Sequence, residues 1–279
     1  YAWRFTAHAS YKERYGEMTD LYDRPYQTDY RNSVWNCGIL PVYRQQLYSV
    51  YGEYKSTARE FFATVNLTHN REWYNRIYEQ RIENGQVQRV SLPLSNHGSG
   101  YTVKSTLSKG FYDLGLKTSL MALLNISKAE QISGGQRLPY QYRLMRLEPK
   151  VIWTPNRHWE TSYQTDIRYG GSKIGERTRL APLWNVIQQV QLSYIFSPIE
   201  ASLSVDHYHN DVNEDQSVNA VFADFSVSWK SGRWQITATA TNLFDKRTYA
   251  YTRYASLESY TSWVRIRPRE FLVAIRYRL

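Results

Sequence analysis

Apolar and polar residues alternate along most of the chain with a period of two. In 184–196, one set of alternate positions is apolar at six of seven residues, and the intervening set is polar at four of six. The same alternation recurs in 221–230 and in 271–279. Successive side chains of a β-strand point to opposite faces, whereas the apolar face of a helix recurs every three or four residues. The pattern therefore predicts β-strands.

Turn residues divide the alternating segments into twelve predicted strands joined by eleven connections. The strands are expected near 1–10, 45–55, 61–79, 86–108, 114–126, 141–153, 159–169, 183–196, 200–208, 218–229, 234–244 and 269–279. Short connections are expected at 55–60, 109–113, 154–158, 197–200 and 230–233, and longer, more polar ones at 11–44, 80–86, 127–140, 170–182, 209–217 and 245–268. The sequence Glu83-Asn84-Gly85 is typical of a hairpin turn. Short and long connections alternate, so each kind is expected at its own end of the sheet.

Twelve antiparallel strands with short turns at one end and long loops at the other are typical of a transmembrane β-barrel. A β-sandwich also alternates and is the alternative fold. Two features favour the barrel. Aromatic residues occur at strand ends, whereas a sandwich concentrates them mid-strand, and mid-strand residues are aliphatic on one face and hydrophilic on the other. The strand-end aromatics are Trp153, Trp159, Tyr169, Trp184, Tyr194, Phe196, Trp229, Trp234 and Tyr277, and the two faces are exemplified by Ala201, Leu203 and Val205 against Ser202, Ser204 and Asp206.

Composition narrows the possible classes further. The 279 residues have a mean hydropathy of −0.61, and no uninterrupted apolar run exceeds that of 120–124, so a membrane-spanning helix of about 18 apolar residues is excluded. The chain is 42% hydrophobic, with nine Trp, 25 Tyr and nine Phe, which argues against disorder. Its single cysteine, Cys37, excludes an internal disulfide. The chain opens at Tyr1 inside a strand pattern, and we expect it to be a mature or truncated piece.

The C-terminal fifty residues carry motifs of a known family. The segment Asn242-Leu243-Phe244-Asp245 resembles the penultimate strand of TonB-dependent outer-membrane receptors, and Arg267-Pro268-Arg269 resembles the entry to their final strand. The final segment, 271–279, is similar to the C-terminal strand that the outer-membrane insertion machinery recognises. Upstream, 38–41 and 45–51 are similar to a stretch found in receptors of the Bacteroidetes type. The resemblance implies the barrel of such a receptor in the bacterial outer membrane.

That family has a 22-stranded barrel closed by an N-terminal plug. The resemblance therefore implies that 1–279 is a single barrel region without a plug, comprising the last twelve strands of a larger barrel. An open slice would expose two unpaired edges in lipid. We therefore expect that the remaining strands and the plug are missing from this sequence, that they belong to a separate chain, or that the slice closes on itself. Pairing of the first strand with the last would establish closure.

Basic residues are concentrated near the C-terminus, where 245–279 supplies half of the net charge of +10. Arg265, Arg267 and Arg269 are expected at the outer rim, where guanidinium groups can bind lipopolysaccharide phosphates; ordinary solvated loop charge is the alternative. Arg276 and Arg278 are expected on the lumenal face near the periplasm, where they would contact the plug. The C-terminal insertion signal implied by the resemblance comprises Phe271, Val273, Ile275, Tyr277 and Leu279.

Three functions remain open. The first is import of a bulky nutrient (an iron chelate, a glycan or a peptide) with energy delivered by the TonB complex through the plug. The second is a self-contained twelve-strand porin or channel without TonB coupling. The third is a soluble, basic, β-rich protein that binds nucleic acid, suggested by a pI near 9.5. Against it, the aromatics lie among aliphatic residues and are not interleaved with Lys and Arg, so nucleic acid is not an expected partner.

No motif predicts catalysis, a cofactor or a metal centre. The densest set of potential metal ligands is Asp206, His207, His209, Asp211, Asn213 and Asp215. It lacks the glycine and the distant glutamate of a calcium loop, and we interpret it as a hydrophilic loop with interfacial histidines. His97 and Ser99 are close in sequence, but a catalytic triad requires a base, an orienting group and an oxyanion site in space. We therefore expect a protein that is not an enzyme.

Overall fold

The computed structural model describes residues 2–83, 86–175, 178–212, 215–254 and 259–278. The strands in these ranges are β1 (Ala2–Tyr15), β2 (Tyr26–Gln27), β3 (Asn32–Trp35), β4 (Val42–Ser56), β5 (Phe61–Tyr74), β6 (Ile77–Glu83), β7 (Gln86–Leu92), β8 (Asn96–Phe111), β9 (Leu116–Ser133), β10 (Gln136–Asn156), β11 (Trp159–Ile174), β12 (Thr178–Phe196), β13 (Ile199–Asp211), β14 (Ser217–Ser231), β15 (Trp234–Thr241), β16 (Thr248–Tyr254), β17 (Ser259–Arg265) and β18 (Glu270–Tyr277). Two short 3-10 helices span Met18–Leu21 and Tyr112–Leu114. In the described ranges, no helix is long and apolar enough to cross a membrane.

Twelve of these strands form one continuous antiparallel wall. Its order is β1, β4, β5, β8, β9, β10, β11, β12, β13, β14, β15 and β18, so every wall strand pairs with the next one along the chain. The predicted twelve-strand antiparallel sheet is therefore confirmed. β1 and β18 form the two ends of the wall, and no pairing joins them in the described residues. The wall is that of a β-barrel left open between these two strands.

The five connections predicted to be short are short in the structure. They join β4 to β5, β8 to β9, β10 to β11, β12 to β13 and β14 to β15, and all of them lie at one end of the wall because every neighbouring pair is antiparallel. We call this the short-turn end and the opposite one the long-loop end. β6 and β7 pair as the hairpin predicted at Glu83 requires, because Glu83 pairs with Gln86; Asn84 and Gly85 lie outside the described residues.

Several of the predicted long loops are wrong in their extent. β9 and β10 remain paired as far as Ser133 and Gln136, so most of 127–140 is strand. The β9–β10 hairpin thus extends beyond the segments in which apolar and polar residues clearly alternate.

The predicted strand 61–79 is divided into β5 and β6, and 86–108 into β7 and β8, where Pro93 interrupts the segment. Proline lacks the N–H that a ladder bond requires.

The wall has an apolar face and a polar face, and almost no enclosed core. Only eight hydrophobic residues are buried among the described positions, whereas large aliphatic side chains lie exposed in mid-strand. The β-sandwich alternative is therefore wrong, because a sandwich buries its apolar face between two sheets. The exposed aliphatic positions include Val50, Val65, Leu67, Val103, Leu107, Leu120, Leu124 and Ile236. An exposed apolar surface of this extent requires a nonaqueous neighbour.

Candidate functional site

Aromatic side chains line the short-turn end of the apolar face. Neighbouring strands contribute pairs in contact, with ring centroids 4.6 Å apart for Trp3 and Tyr54, 4.7 Å for Trp159 and Tyr194, and 4.8 Å for Trp234 and Tyr277. We call this set the lower girdle; its other members are Phe5, Phe61, Phe111, Trp153, Phe196 and Trp229. Trp and Tyr have this distribution at the boundary between hydrocarbon and water, where one end of the ring is apolar and the other polar.

A second set of aromatic side chains lies toward the long-loop end of the same face. His69 stacks on Tyr101 with centroids 4.3 Å apart, and the centroids of Tyr169 and Trp184 are 4.6 Å apart. With Tyr48, which stacks on His69, these residues form the upper girdle. Ten residues separate Trp184 from Tyr194 along β12. Ten residues is also the strand length needed to cross a bilayer.

The lower girdle crosses the wall obliquely. The line of paired residues that starts at Phe5 reaches Asn219 in β14, ten residues before Trp229. A shift of ten residues over nine strand spacings corresponds to a strand tilt of about 37°, with ~3.3 Å per residue and ~4.8 Å between strands. At that tilt the two girdles are about 26 Å apart in height, close to the ~25 Å apolar band of outer-membrane barrels.

The opposite face of the wall is hydrophilic. Its hydroxyl and amide groups bond to one another across neighbouring strands: Ser228 Oγ lies 3.0 Å from Thr237 Oγ1, and Gln235 Nε2 donates to Ser228 Oγ at 3.2 Å. The predicted hydrophilic positions Ser202, Ser204 and Asp206 lie on this face. Hydrogen-bonding groups in this arrangement suit a surface in contact with water, as the lumen of a transmembrane barrel is.

A cavity of ≈ 620 Å³ opens on the polar face between β10 and β13. Alternate residues of β10, β11 and β12 line it because they share this face of the wall, and two tyrosines of β16 cover it. The lining comprises Tyr142, Leu144, Arg146, Asp166, Arg168, Gly170, Leu183, Asn185, Ile187, Asn210, Tyr249 and Tyr251. Aromatic rings beside guanidinium groups are able to contact a large polar or anionic solute.

Two arginines share one carboxylate in this cavity. Arg146 donates from Nε and Nη2 to the two oxygens of Asp166 at 3.0 and 2.9 Å, and Arg168 Nη2 donates to Asp166 Oδ2 at 2.6 Å. Arg146 also forms an ion pair with Glu148. Asp166 is well covered, while Arg168 is about half exposed, so the guanidinium group of Arg168 is the accessible part of the cluster. The bidentate pairing holds Arg146 in a fixed orientation.

The β16–β17 hairpin packs on the cavity. Asn210 Nδ2 donates to the hydroxyl of Tyr249 at 2.9 Å, and the rings of Tyr208 and Tyr249 meet edge to face with centroids 5.2 Å apart. Ala250, between the two covering tyrosines, is fully buried. The hairpin, which lies within the predicted long loop 245–268, therefore contacts the polar face and contributes to the cavity.

The side chain of Asn242 forms a clamp, because it hydrogen-bonds to both ends of the segment that carries this hairpin. Its Nδ2 donates to the carbonyl oxygens of Lys246 and Arg267, each at 2.9 Å, and its Oδ1 accepts from Lys246 N at 3.0 Å. Asn242 has a φ of 50°, a conformation that Asn tolerates better than most residues. The Asn-Leu-Phe-Asp and Arg-Pro-Arg segments thus meet in space, and the backbone N–H of Arg269 also donates to Asp245 Oδ1 at 3.0 Å.

The predicted lipopolysaccharide residues surround this clamp. Arg265 ends β17 opposite Thr248, and Arg267 and Arg269 lie exposed in the segment that enters β18. Arg269 precedes Phe271 by two residues and lies just outside β18, beyond the apolar band. Contact of these arginines with lipopolysaccharide stays a prediction, and its alternative is that they are ordinary solvent-exposed charges of a loop.

Five of the remaining C-terminal residues lie on the faces predicted for them. Phe271, Val273, Ile275 and Tyr277 lie on the apolar face of β18, and Leu279 lies outside the described residues. Arg276 pairs with Gln235 on the polar face near the short-turn end, while the backbone N–H of Arg278 donates to Arg233 O at 2.9 Å. Their roles in membrane insertion and in contacting a plug stay predictions.

The histidine-rich segment of β13 forms ordinary polar contacts. His207 Nδ1 lies 3.0 Å from Gln188 Oε1, and His209 lies 3.3 Å from Asp211. In the part of the chain that the structure describes, no group of three His, Cys, Asp or Glu side chains is arranged to hold a metal ion. Asn213 lies outside the described residues.

Sequence reasoning missed the cavity. Arg146 and Asp166 are twenty residues apart, and they meet only because Leu147 pairs with Ile167 in the β10–β11 register. The one available signal was the presence of charged residues within alternating strands, since charges are costly on a lipid-facing side and mark the opposite face.

Comparisons with known proteins give matches among solved structures alone, at low similarity. No protein-family model and no curated protein matches the sequence. Among solved structures, the chain is similar to the translocator domain of autotransporter NalP from Neisseria meningitidis, with a TM-score of 0.32 and 10% identity over 100% of this chain and 89% of that chain. It is also similar to the ferric yersiniabactin uptake receptor FyuA from Yersinia pestis, with a TM-score of 0.40 and 8% identity over 99% of this chain and 51% of that chain. The strand register, the aromatic girdles and the alternation of faces define the fold of this chain.

Proposed function

We propose that this chain forms part of the wall of a bacterial outer-membrane barrel that imports a bulky nutrient, as the barrel portion of a TonB-dependent receptor. The observation that carries the membrane placement is the pair of aromatic girdles about 26 Å apart, which enclose an exposed aliphatic band. The long-loop end faces the cell exterior, because such barrels have short periplasmic turns and long extracellular loops.

The polar face and its cavity support a transport role. The cavity of ≈ 620 Å³ is lined by arginine, tyrosine and amide side chains, and the β16–β17 hairpin covers part of it. A solute that enters from the long-loop end would meet Tyr249, Tyr251 and Arg168 on its way along the wall. These groups suit an iron chelate, a glycan or a peptide better than a small ion, because they offer stacking surfaces and several donors.

The open edges support a larger assembly over a self-contained porin. β1 and β18 each lack a second neighbour in the described residues, and nearly all of their side chains are exposed. An unpaired strand edge in hydrocarbon is destabilised by several kcal/mol for each backbone group that lacks a hydrogen-bond partner. Additional strands, in the same polypeptide or a separate one, would satisfy these edges, and a plug held by them would couple the barrel to the TonB complex.

Energy dependence separates the two transport functions. Cells that lack the gene, and the same cells carrying the full-length protein, would be supplied with radiolabelled iron chelates, oligosaccharides and peptides, with and without a protonophore. We expect the full-length protein to restore accumulation of at least one bulky solute and the protonophore to abolish it. Accumulation that persists with the protonophore would indicate a passive channel and contradict the proposal.

A further inference from the structure

A line of five paired positions, three of them basic, crosses the apolar face just beyond the upper girdle. The register places Arg71, Ser99, Lys128, Gln141 and Lys173 side by side on five consecutive strands, from β5 to β11. The next line toward the short-turn end contains His69, Tyr101, Ile126, Arg143 and Gly171, and the one after it contains Leu67, Val103, Leu124, Met145 and Tyr169. Along these strands, the face thus changes from aliphatic to aromatic to basic within about 14 Å.

The strand register places three cations of this region close together. Lys128 and Lys173 flank Gln141, so their backbones are about 10 Å apart, and Arg143 lies one step below Gln141 on the same face. A cavity of ≈ 250 Å³ lies on this surface, and its lining includes Gln141, Arg143, Tyr169 and Lys173. Side chains as long as Lys and Arg can reach a common anion across such a separation.

These cations have no carboxylate partners in the described part of the chain. Elsewhere on the same face, by contrast, Arg44 pairs with Glu13 at 2.8 Å and Arg137 pairs with Glu130 at 3.1 Å. Lys128 and Arg143 are both exposed. The positive charge at Lys128, Arg143 and Lys173 is therefore available to an external anion.

We propose that Lys128, Arg143 and Lys173 bind the phosphate groups of an anionic glycolipid in the outer leaflet. The site is continuous with the aliphatic band through Tyr169 and Met145, so the acyl chains of a lipid bound there would lie along the band. Its height, directly beyond the upper girdle toward the long-loop end, is that of the outer-leaflet headgroups. Arg143 offers a bidentate donor pair, and the two lysines add point charges. The inference rests on the membrane placement under the proposed function but not on nutrient import.

The test compares lipid retention by two variants of equal charge. Full-length protein in detergent micelles would be titrated with diphosphorylated lipid A and with its dephosphorylated form, and bound lipid counted by native mass spectrometry. The variant is Lys128→Ala/Arg143→Ala/Lys173→Ala. The control is Lys104→Ala/Lys117→Ala/Lys150→Ala, which removes three cations from the polar face of β8, β9 and β10.

We expect the apolar-face variant to bind diphosphorylated lipid A at least tenfold more weakly than wild type, and the control to bind it as wild type does. The dephosphorylated lipid should bind weakly to all three proteins. Equal retention by the variant and wild type would overturn the proposal, as would an equal loss in the control, which would show a dependence on net charge alone. Lys128→Arg/Lys173→Arg should retain binding, and its failure to do so would also contradict the site. Failure of import with lipid binding intact would refute only the transport proposal.

Discussion

Replacing Asn242 is expected to release the β16–β17 hairpin from the wall. Its side chain makes three hydrogen bonds to the backbone of Lys246 and Arg267 and is almost fully buried. At about 1 kcal/mol net for each bond, Asn242→Gly should cost about 3 kcal/mol of local stability. Asn242→Ala should cost about 1 kcal/mol more, because alanine is strained at a φ of 50° whereas glycine is not.

Hydrogen exchange measures this local stability directly. The backbone amides of β16 would be followed in full-length protein reconstituted in lipid nanodiscs. A loss of about 3 kcal/mol accelerates exchange through local opening by about two orders of magnitude, since each 1.4 kcal/mol corresponds to a factor of ten. We expect this acceleration in β16 for Asn242→Gly, a larger one for Asn242→Ala, and unchanged exchange in the wall strands β10 and β11.

Asn66→Ala serves as the matched control. Asn66 lies on the polar face of β5, and its amide oxygen accepts a hydrogen bond from Thr68 at 3.4 Å. This substitution should leave β16 as it is in wild type. Wild-type exchange in both Asn242 variants would refute the clamp, and equal exchange in Asn242→Gly and Asn242→Ala would refute the strain assigned to the positive φ.

Three further outcomes follow from the two faces and the clamp. Leu120→Arg, in the middle of the apolar band, should destabilise the protein by ~2–4 kcal/mol in chemical unfolding from bilayers, whereas Ser119→Arg on the polar face should cost far less; equal costs would contradict the assignment of faces. Hydrogen bonds from Arg247 and from the Arg269 N–H lower the pKa of Asp245, so its stabilising contribution is full above the ordinary carboxyl pKa and is lost as pH falls through the lowered value. Exchange in β16 should therefore accelerate at acid pH in wild type and show little pH response in Asp245→Asn, once corrected for intrinsic exchange. Arg168→Ala should reduce uptake of the imported solute without changing the amount of protein in the outer membrane; unchanged uptake would exclude a role for the cavity.

Alternation predicted the wall because each face of a membrane-spanning strand has a different solvent. In β12, Val190 and Leu192 face the apolar side and Gln189 and Gln191 the polar side, so the period is visible in the sequence. Beyond the upper girdle both faces meet polar surroundings, and the alternation fades although the hydrogen-bonded ladder continues to Ser133. That loss of contrast explains why 127–140 was predicted to be a loop.

The cation site and the Asn242 clamp were harder to predict from the sequence, because they depend on how the strands pair and where the chain returns. Lys128 and Lys173 lie 45 positions apart in sequence and become near neighbours only through the pairing of β9, β10 and β11. The meeting of Asn242 with Arg267 requires the intervening hairpin to return to its starting point. The C-terminal motifs drew attention to both segments, but the hydrogen bonds that join them follow from the folded chain.

Spin labelling of β12 tests directly whether this wall spans a membrane with its apolar face in lipid. Spin labels placed singly at each position from 185 to 193 of β12, in a Cys37→Ser background, would report access to oxygen, which partitions into lipid, and to a water-soluble nickel chelate. We expect oxygen access at Val186, Gln188, Val190 and Leu192 and nickel access at the alternate positions, with the greatest lipid depth midway between Trp184 and Tyr194. Nickel access at every position, or access without a period of two, would contradict the claim.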